Sequence, residues 1–535
     1  MNKKIFTILL FFAFTVICSA QQKMFSDESL KLIRSLQYIE NLYVDTINND
    51  KLVEDVIKNM LTNLDPHSTY ISAKDVKAME EPLEGNFDGI GIAFNMLTDT
   101  LYVIETIAGG PSEKVGIRPG DKILYVNDTL IAGVKKPNNE VIKMLKGKKG
   151  TKVNVKIWRR GIDDLLTFTI TRDKIPIYSL DAAYMIDSKT GYIKLSRFGA
   201  TTHQEFKKAC QDLQKDGMEN LILDLENNGG GYLSAAIDIA KELLGKDELI
   251  VYTEGARHPK REEKANGSGG LKKGRLVVMI NEGSASASEI VSGAIQDQDR
   301  GIIVGRRSFG KGLVQRPLPL PDGSLIRLTV ARYYTPTGRS IQRPYQAGNI
   351  EQYAVDFIDR YNKGEMMHAD SIHFPDSLKY KTLKYDRTVY GGGGIMPDQY
   401  VPIDTTKYPK YYRELSNRGI LIKTAYNEVD SKRDEIKAKY PKADDFYKKY
   451  EVQQDLLDKM VAEGEKEKIE VNKEELAQAE DQMKMILKAL IARDVYDTAT
   501  SIRISNDYSD IYNKAVEIIS DDELYNNLLT KGIYK

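Results

Sequence analysis

Residues 276–289 have the sequence LVVMINEGSASASE, in which a short apolar run meets a glycine turn and then three serines. The run Leu276–Ile280 is too short for a buried helix and predicts a buried strand. The apolar spacing from Ile290 to Ile295 predicts a helix after the turn. A second stretch, residues 221–231 (LILDLENNGGG), repeats the plan of strand, glycine turn and helix. Strands that alternate with helices in this way predict an α/β layered core.

The chain on either side of this core has different patterns. Helical spacing dominates both ends, and short β-rich runs separated by turns precede the core. The predicted fold class is therefore multidomain α+β, and the C-terminal helices either pack on the core or mediate self-association. The predicted divisions are a signal peptide over residues 1–20, a helical N-terminal region over 21–84, a β-rich module over 85–173, the core over 174–404 with an insertion at 346–390, and a helical C-terminal domain over 405–535.

Composition excludes several functional classes. The 535 residues carry 77 basic and 77 acidic side chains, and this zero net charge argues against bulk binding of nucleic acid. Two Cys exclude a disulfide scaffold, and five scattered His argue against a His-based metal site, so neither a metal nor a cofactor is expected. The neutral average conceals a basic segment, residues 271–345, with 12 Lys or Arg against 5 Asp or Glu.

The N-terminus predicts export. Lys3 and Lys4 precede the apolar run Ile5–Ile17, whose 13 residues are too few to span a bilayer, and small residues follow up to a cleavage site after Ala20. This pattern is typical of a signal peptide, and it predicts a periplasmic protein with no integral membrane segment after cleavage. Cys18 leaves open a lipid-modified alternative, which the bulky Ile17 before it disfavours.

The two glycine turns carry the candidate chemistry. A helix N-terminus presents unpaired backbone N–H groups, which suit a developing oxyanion. A serine where a strand meets a helix is well placed for a nucleophile. The alternative is that Ser286 or Ser288 caps the helix with help from Glu289, and on spacing alone that role is the commoner one.

A serine nucleophile needs a base, and residues 259–367 contain no His. The most distinctive ionisable group nearby is Lys311, which stands between two glycines. Burial would favour the neutral amine, which accepts a proton from serine; the alternative is an ordinary surface lysine. The segment Gly305–Lys311 also matches most of a phosphate-binding loop, but Gly312 replaces the Ser or Thr that holds magnesium, which argues against ATP binding.

An ordered set of motifs resembles the carboxyl-terminal processing peptidases, the tail-specific serine endopeptidases of peptidase family S41. The resemblance covers about residues 30–404. Its motifs, in chain order, are Asp65-Pro66-His67-Ser68, Gly89-Ile90-Gly91-Ile92, Gly116-Ile117-Arg118-Pro119-Gly120-Asp121, Asp224–Gly231, Asn281–Glu289, Phe309-Gly310-Lys311-Gly312, Tyr333–Gln342 and Gly394-Ile395-Met396-Pro397-Asp398. The resemblance implies a PDZ-like module followed by a peptidase core of the crotonase/ClpP type.

The resemblance also implies roles for individual residues. Ser286 would be the nucleophile, Lys311 the general base, and Gln315 the residue that orients the lysine. The oxyanion hole would come from the backbone N–H groups of Ala287 and of Gly230 or Gly231. Ser288 would keep the capping role.

The PDZ-like module would recognise substrates by their free C-termini. Backbone N–H groups of Gly89, Ile90, Gly91 and Ile92 would bind the carboxylate, and the tail would add as a β-strand. The expected partners are unfolded or tagged proteins, and a homo-oligomer is possible. Without the resemblance, these four residues are equally well explained as a plain β-turn.

The sequence thus predicts an exported serine endopeptidase that works through an acyl-enzyme. Two rivals remain: a PDZ-bearing scaffold or holdase that binds C-termini without cutting, and an esterase on the same fold. Two departures from the family pattern stand beside the oxyanion turn, since Glu226 replaces a frequent Arg and Gly229 replaces a Pro.

Overall fold

The computed structural model describes residues 26–97 and 99–532. The predicted signal peptide, residues 1–20, lies outside the described residues. The described residues form two compact units, which divide between Leu64 and Asp65. Within the described ranges, no helix is both long enough and apolar enough to cross a bilayer.

The first unit contains two amphipathic helices, α1 (Asp27–Leu42) and α2 (Asn49–Thr62). Their side-chain caps are Ser26 and Asn48, each of which accepts a hydrogen bond from a backbone N–H in the first turn. The helical prediction for this segment is therefore confirmed.

The segment that follows Asp65 is not wholly helical. It contains the strand β1 (Thr69–Ile71) and then the helix α3 (Ala73–Glu84). Strand β1 pairs in antiparallel register with β18 (Leu325–Tyr334) of the core. The sequence did not predict strand β1, because the partner that makes this strand lies far along the chain.

The β-rich module is confirmed as a mixed sheet with short helices. Its main sheet has the order β3-β4-β5-β7-β8, so β3 is an edge strand. The elements are β2 (Asn86–Gly89), β3 (Ile92–Leu97), β4 (Thr100–Thr106), α4 (Pro111–Lys114), β5 (Lys122–Val126), β6 (Thr129–Leu130), α5 (Asn138–Leu145), β7 (Lys152–Trp158), β8 (Leu166–Thr171) and β9 (Asp173–Pro176).

The core is built on a six-stranded sheet in the order β10-β11-β12-β15-β16-β21. Its strands from β11 onward are parallel, as connecting helices require. The elements are β10 (Leu180–Met185), β11 (Thr190–Leu195), α6 (Thr202–Lys215), β12 (Asn220–Asp224), α7 (Leu233–Leu243), β15 (Leu276–Ile280), α8 (Ala287–Asp297), β16 (Ile302–Gly305) and β21 (Gln399–Tyr400).

A second sheet supplies one wall of the site. Strand β18 pairs with β1, with β13 and with β17. The prediction did not include β13 or β14. The elements are β13 (Leu249–Gly255), β14 (His258–Lys264) and β17 (Leu313–Pro319), and the insertion adds the helix α9 (Ile350–Asn362) and the hairpin β19 (Lys379–Lys381) and β20 (Thr388–Tyr390).

Alternate residues of strand β15 serve two hydrophobic layers. Val278 and Ile280 belong to the cluster that includes residues of α6, α7 and α8. Val277 and Met279 belong to the cluster on the opposite face. A strand buried on both faces needs this nearly continuous apolar sequence.

The opposite face is covered by the end of the chain. Ile511, Ala515 and Ile518 pack in the same cluster as Val277, so the C-terminal helices pack on the core, one of the two roles expected for them. These helices are α10 (Lys410–Asn417), α11 (Ile420–Lys439), α12 (Ala443–Lys449), α13 (Gln454–Lys466), α14 (Lys473–Gln478), α15 (Glu480–Val495), α16 (Thr498–Asn506), α17 (Asp510–Ser520) and α18 (Asp522–Lys531).

Helix α11 also contacts the PDZ-like module. The ring of Tyr426 packs edge-on against Tyr102, with centroids 4.3 Å apart. Asp430 accepts a hydrogen bond from Arg160 at 2.8 Å and lies 3.6 Å from the ammonium of Lys122. The C-terminal helices therefore join the core sheet to the module.

Candidate active site

Ser286 lies in a strained turn between β15 and α8. Its backbone has φ +55° and ψ −109°, a region that residues other than glycine rarely adopt. The flanking hydroxyls tie this turn to the first glycine turn, because Ser284 donates to the carbonyl of Leu225 at 2.8 Å and Ser288 to that of Asn228 at 2.7 Å. Ser288 therefore does not cap α8; Ser286 holds the N-cap position.

Ser286 lines a cavity of about 390 Å³. The cavity brings together most of the residues predicted for the catalytic site, namely Gly230, Gly231, Ser286, Ala287, Lys311 and Gln315. The rest of its lining is mainly apolar and comes from α3, α7, α8 and β17: Met79, Leu83, Leu233, Ile290, Leu313, Val314 and Pro317. Apolar parts of a peptide can therefore be buried from water when the peptide binds next to Ser286.

The glycine turn after β12 offers backbone donors to this cavity. The N–H of Gly230 donates to the side-chain oxygen of Asn228 at 2.9 Å. The N–H groups of Gly231 and Ala287 donate to no protein group in the described part of the chain. A Cβ on Gly230 would lie 2.9 Å from the Cβ of Ser286, so the two turns approach as closely as glycine allows.

Lys311 reaches the same cavity from the loop before β17. Its pKa is lowered to about 8, chiefly by burial and next by the charge of Arg327, while Glu289 and Asp65 oppose the shift. A lysine with that pKa is partly neutral near physiological pH and is then able to accept a proton. A strand follows Lys311, not the helix of a phosphate-binding loop.

Glu289 joins the serine turn to the lysine loop, a role the sequence interpretation missed. Its fully buried carboxylate accepts from the N–H groups of Ser286 at 2.8 Å and Lys311 at 2.9 Å through one oxygen. The other oxygen accepts from the hydroxyl of Ser308 and the N–H of Gly310 at 2.7 Å. Burial raises the pKa of Glu289 to about 7, and these hydrogen bonds oppose that shift because they favour the carboxylate.

A second group connects the same two backbones. The hydroxyl of Tyr333 lies 2.6 Å from the carbonyl oxygen of Lys311 and 3.2 Å from that of Ser286. Gln315, predicted to orient Lys311, donates to the hydroxyl of Thr329 over 3.4 Å. No hydrogen bond between Gln315 and Lys311 occurs among the residues that the structure describes.

The structure also places a histidine near Lys311, which the sequence did not. His67, in the Asp65-Pro66-His67-Ser68 turn, shares a 2.9 Å hydrogen bond with the hydroxyl of Tyr353. Burial, followed by the charge of Lys311, lowers the pKa of His67 to about 4, so its ring is neutral at physiological pH. The motif itself was visible in the sequence, but its electrostatic interaction with Lys311 depends on the pairing of β1 with β18.

Glu226, which stands where the family often has Arg, does not line the cavity. Burial and then the neighbouring Asp224 raise the pKa of Glu226 to about 8. Lys194 supplies a cation here, 2.7 Å from the carboxylate of Asp224.

The PDZ-like module presents a second candidate site at the start of its edge strand. Ile90 is buried and Gly91 has φ +74°, where a Cβ would lie 3.0 Å from Ile175. The N–H groups of Ile90 and Gly91 donate to no protein group in the described ranges. Strand β3, which begins at Ile92, has a free edge. The loop thus has donors for a carboxylate and an edge for an added strand.

Comparison with known proteins agrees with this architecture. Residues 189–351 match the model of peptidase family S41, residues 89–171 that of the PDZ domain, and residues 411–497 a family of unknown function. The carboxy-terminal processing protease CtpB of Bacillus subtilis is 35% identical over 436 residues, which cover 79% of this chain and 89% of that protein.

Two further relatives carry similar descriptions. The carboxy-terminal-processing protease of Bartonella bacilliformis is 37% identical over 309 residues, 57% of this chain and 70% of that protein. The solved photosystem II D1 C-terminal processing protease is 29% identical, with a TM-score of 0.35, and covers 59% of this chain and 91% of that one.

The fold and these matches define a serine-type peptidase with a PDZ domain. The predicted fold class, with its PDZ module, peptidase core and helical ends, is confirmed. The chain belongs to peptidase family S41, among the carboxy-terminal processing serine proteases. The esterase and scaffold rivals are thereby set aside.

Replacing Glu289 with Gln tests its role as the link. In Glu289→Gln, the side-chain NH2 group would face backbone N–H groups, which cannot accept its hydrogen bonds. We therefore expect Ser286 and Lys311 to be misplaced and kcat to fall by about 10²-fold. The free energy of unfolding should also fall, by about 1.5–3 kcal/mol, the range for hydrogen bonds to a charged group. Steady-state kinetics measures the change in kcat, and denaturant titration measures the change in the free energy of unfolding.

The matched control is Glu205→Gln on α6. Glu205 also accepts hydrogen bonds from backbone N–H groups, those of Ser179 at 2.8 Å and Leu180 at 3.0 Å, but it forms no hydrogen bond with the serine turn or the lysine loop among the described residues. We expect its kcat to stay near wild type. Equal losses in the two variants, or none in Glu289→Gln, would contradict the linking role.

Proposed function

We propose that the protein is an exported endopeptidase that cleaves proteins recognised by their C-termini through a Ser286/Lys311 dyad. The observation that carries this proposal is the shared cavity, where Ser286, a lysine of lowered pKa and two unused backbone N–H groups meet. Membership of the family supports the general activity. The signal-peptide pattern of residues 1–20 supports export, with the periplasm as the proposed compartment.

The proposed reaction begins with attack by the hydroxyl oxygen of Ser286 on the scissile carbonyl carbon. The neutral amine of Lys311 takes the hydroxyl proton as the bond forms. The carbonyl oxygen becomes an oxyanion, stabilised by the N–H groups of Ala287 and Gly231. We assign the second donor to Gly231 because Asn228 already engages the N–H of Gly230.

The intermediate then breaks the carbon–nitrogen bond. Lys311 gives its proton to the departing amine, which leaves an acyl-enzyme on Ser286. Water next attacks the ester carbonyl while Lys311 accepts a proton from it. Collapse of this second intermediate returns a proton to the oxygen of Ser286 and releases the new carboxylate. One lysine therefore serves both half-reactions.

Gln315 contributes through the structure around the lysine in this proposal. It contacts Thr329, whose hydroxyl donates to Asp65 at 3.0 Å. Asp65 also accepts from the N–H groups of His67 at 2.8 Å and Ser68 at 2.9 Å. The amide thus helps to fix the turn that places His67 beside the lysine.

The PDZ loop selects the substrates in this proposal. The N–H groups of Ile90 and Gly91 bind the terminal carboxylate, Gly89 and Ile92 frame the loop, and the tail pairs with the free edge of β3. An unfolded protein offers an extended tail for this pairing, whereas most folded proteins do not. The same substrate chain is then bound at its tail by the PDZ loop and cleaved at Ser286.

The pH dependence of cleavage tests the proposed base. Because Lys311 must be neutral and its pKa lies at about 8, kcat/KM should rise with pH up to about 8 and level off above it, with a steeper fall below pH 7 as Glu289 becomes protonated. The profile is obtained from initial rates on one peptide in assays set at pH values between 5.5 and 9.5. Lys311→Ala should lose activity at every pH while remaining folded by circular dichroism. A flat wild-type profile, or wild-type turnover by Lys311→Ala, argues against the dyad.

Tail recognition is tested by amidating the C-terminus of a substrate. Loss of the carboxylate should reduce kcat/KM by about tenfold or more, as expected for hydrogen bonds worth ~1.5–3 kcal/mol. Gly91→Ala, which strains the loop and crowds Ile175, should shrink this preference. Gly161→Ala is the control, since Gly161 also has positive φ but an added Cβ meets nothing within 4 Å. Equal rates on acid and amide substrates by wild type would exclude carboxylate recognition.

A further inference from the structure

Arg327 is an unpaired cation in the catalytic cavity. It lies on β18 and lines the same cavity as Ser286 and Lys311. Its Nε is buried and has no hydrogen-bond partner, and its guanidinium forms no ion pair with any carboxylate in the described part of the chain. Arg327 is partly buried, so its terminal guanidinium nitrogens remain accessible to a ligand in the cavity, and a partly desolvated cation gains from a negatively charged partner.

The fully buried arginines of the core are paired with acids. Arg339 lies 2.7 Å from the carboxylate of Asp297, and Arg387 lies 2.7 Å from that of Asp299. Arg327 differs because its guanidinium faces the site rather than an internal acid.

Asp65, which accepts a hydrogen bond from Thr329 on the same strand as Arg327, already has its hydrogen-bond partners. Asp65 accepts hydrogen bonds from the N–H of His67, from the N–H and hydroxyl of Ser68, and from the hydroxyl of Thr329. These four donors occupy both carboxylate oxygens. Asp65 therefore contributes charge to this region but forms no ion pair with Arg327.

A second unpartnered group stands next to Arg327. The register of the sheet places Thr69 of β1 directly opposite Arg327, and Pro317 of β17 opposite it on the other side. Residues directly opposite in antiparallel strands point to the same face, so the three side chains form a row. The hydroxyl oxygen of Thr69 is also buried and without a hydrogen-bond partner.

This row adjoins the catalytic machinery. Pro317 lines the cavity beside Arg327, and Gln315, two residues earlier on β17, lines it as well. Arg327 is also among the charges that act on Lys311. A ligand bound at Arg327 would therefore lie within the same substrate-binding cavity, close to the scissile bond.

We propose that Arg327, with Thr69 beside it, forms a carboxylate subsite of the catalytic cavity, which binds an acidic group of the peptide substrate close to the scissile bond. A carboxylate accepts hydrogen bonds from the terminal nitrogens of the guanidinium, and it neutralises the unpaired cation. This inference rests on the proposed function, because it assigns a substrate preference to that site. The subsite is separate from the PDZ loop, which binds the far end of the tail.

The carboxylate has two possible sources in a peptide. One is the side chain of Asp or Glu at a fixed distance from the scissile bond. The other is the free α-carboxylate of a chain that ends within the cavity. The chemistry at Arg327 is the same for both, so the experiment needs an arm for each.

The first arm uses peptide pairs that differ only by Glu or Gln at each position on both sides of the cleavage site. Wild type should prefer Glu over Gln at one position by about tenfold in kcat/KM, equivalent to ~1.4 kcal/mol. Arg327→Gln should abolish that preference and Thr69→Val should weaken it. Arg327→Lys, which keeps the charge, should retain part of it.

The second arm uses peptides that end at the same distances, each as the free acid and as the amide. A preference for the acid that disappears in Arg327→Gln identifies the chain end as the ligand. A preference confined to the first arm identifies an acidic side chain. Either result supports the subsite.

The matched control is Arg332→Gln on the same strand. Arg332 is exposed and does not line the cavity, so its variant should keep the wild-type ratio of acid to amide cleavage. If wild type shows no acid preference in either arm, or if the preference persists unchanged in Arg327→Gln, the subsite does not exist. If Arg327→Gln is unfolded, the ratios of Arg327→Lys and Thr69→Val decide, because unchanged ratios in both overturn the proposal.

Ser286→Ala is assayed on the same peptides to separate the two claims. Cleavage by Ser286→Ala would refute the proposed function itself. Cleavage by wild type alone, with acid-to-amide ratios that do not depend on Arg327, would refute only the subsite. The ratio is the informative quantity, since a purely structural role for Arg327 would lower both rates together.

Discussion

The carboxylate of Glu289 is the interaction on which the rest of the site depends. It is fully buried, yet four donors from the serine turn and the lysine loop converge on it. Backbone N–H groups of Ser286 and Lys311 share one of its oxygens, so the two loops cannot move apart without leaving polar groups unsatisfied. The positions of Ser286 and Lys311, the proposed nucleophile and base, are therefore set by a residue that need not touch the substrate.

The surrounding fold makes this arrangement possible. Two parallel strands, β12 and β15, each end in a glycine-containing turn, and adjacent parallel strands bring such turns to the same edge. The hydroxyls of Ser284 and Ser288 tie the turns together. The sheet beneath is buried on both faces, by α6–α8 on one side and by α17 and α18 on the other. The C-terminal helices thus belong to the scaffold of the site.

The sequence predicted the elements that are determined by local sequence patterns. Strand β15 matches its predicted bounds, because its apolar run ends at a clear turn. The sequence did not predict the charged strand β14, which pairs with the neighbouring β13 but has few apolar residues, or β1, whose partner β18 lies far along the chain. The same limit applies to the site. The serine and lysine were recognisable by motif, whereas the roles of Glu289 and His67 appear only when distant segments meet.

The most direct test of the central claim is the mass of the enzyme quenched during turnover of a peptide ester, followed by mapping of the modified residue. Esters acylate serine peptidases readily, so the acyl-enzyme should accumulate. The account predicts an added acyl group on the fragment that contains Ser286 in the wild-type protein, and no such adduct in Ser286→Ala. An acyl group on another residue, or the same adduct in Ser286→Ala, would contradict the account.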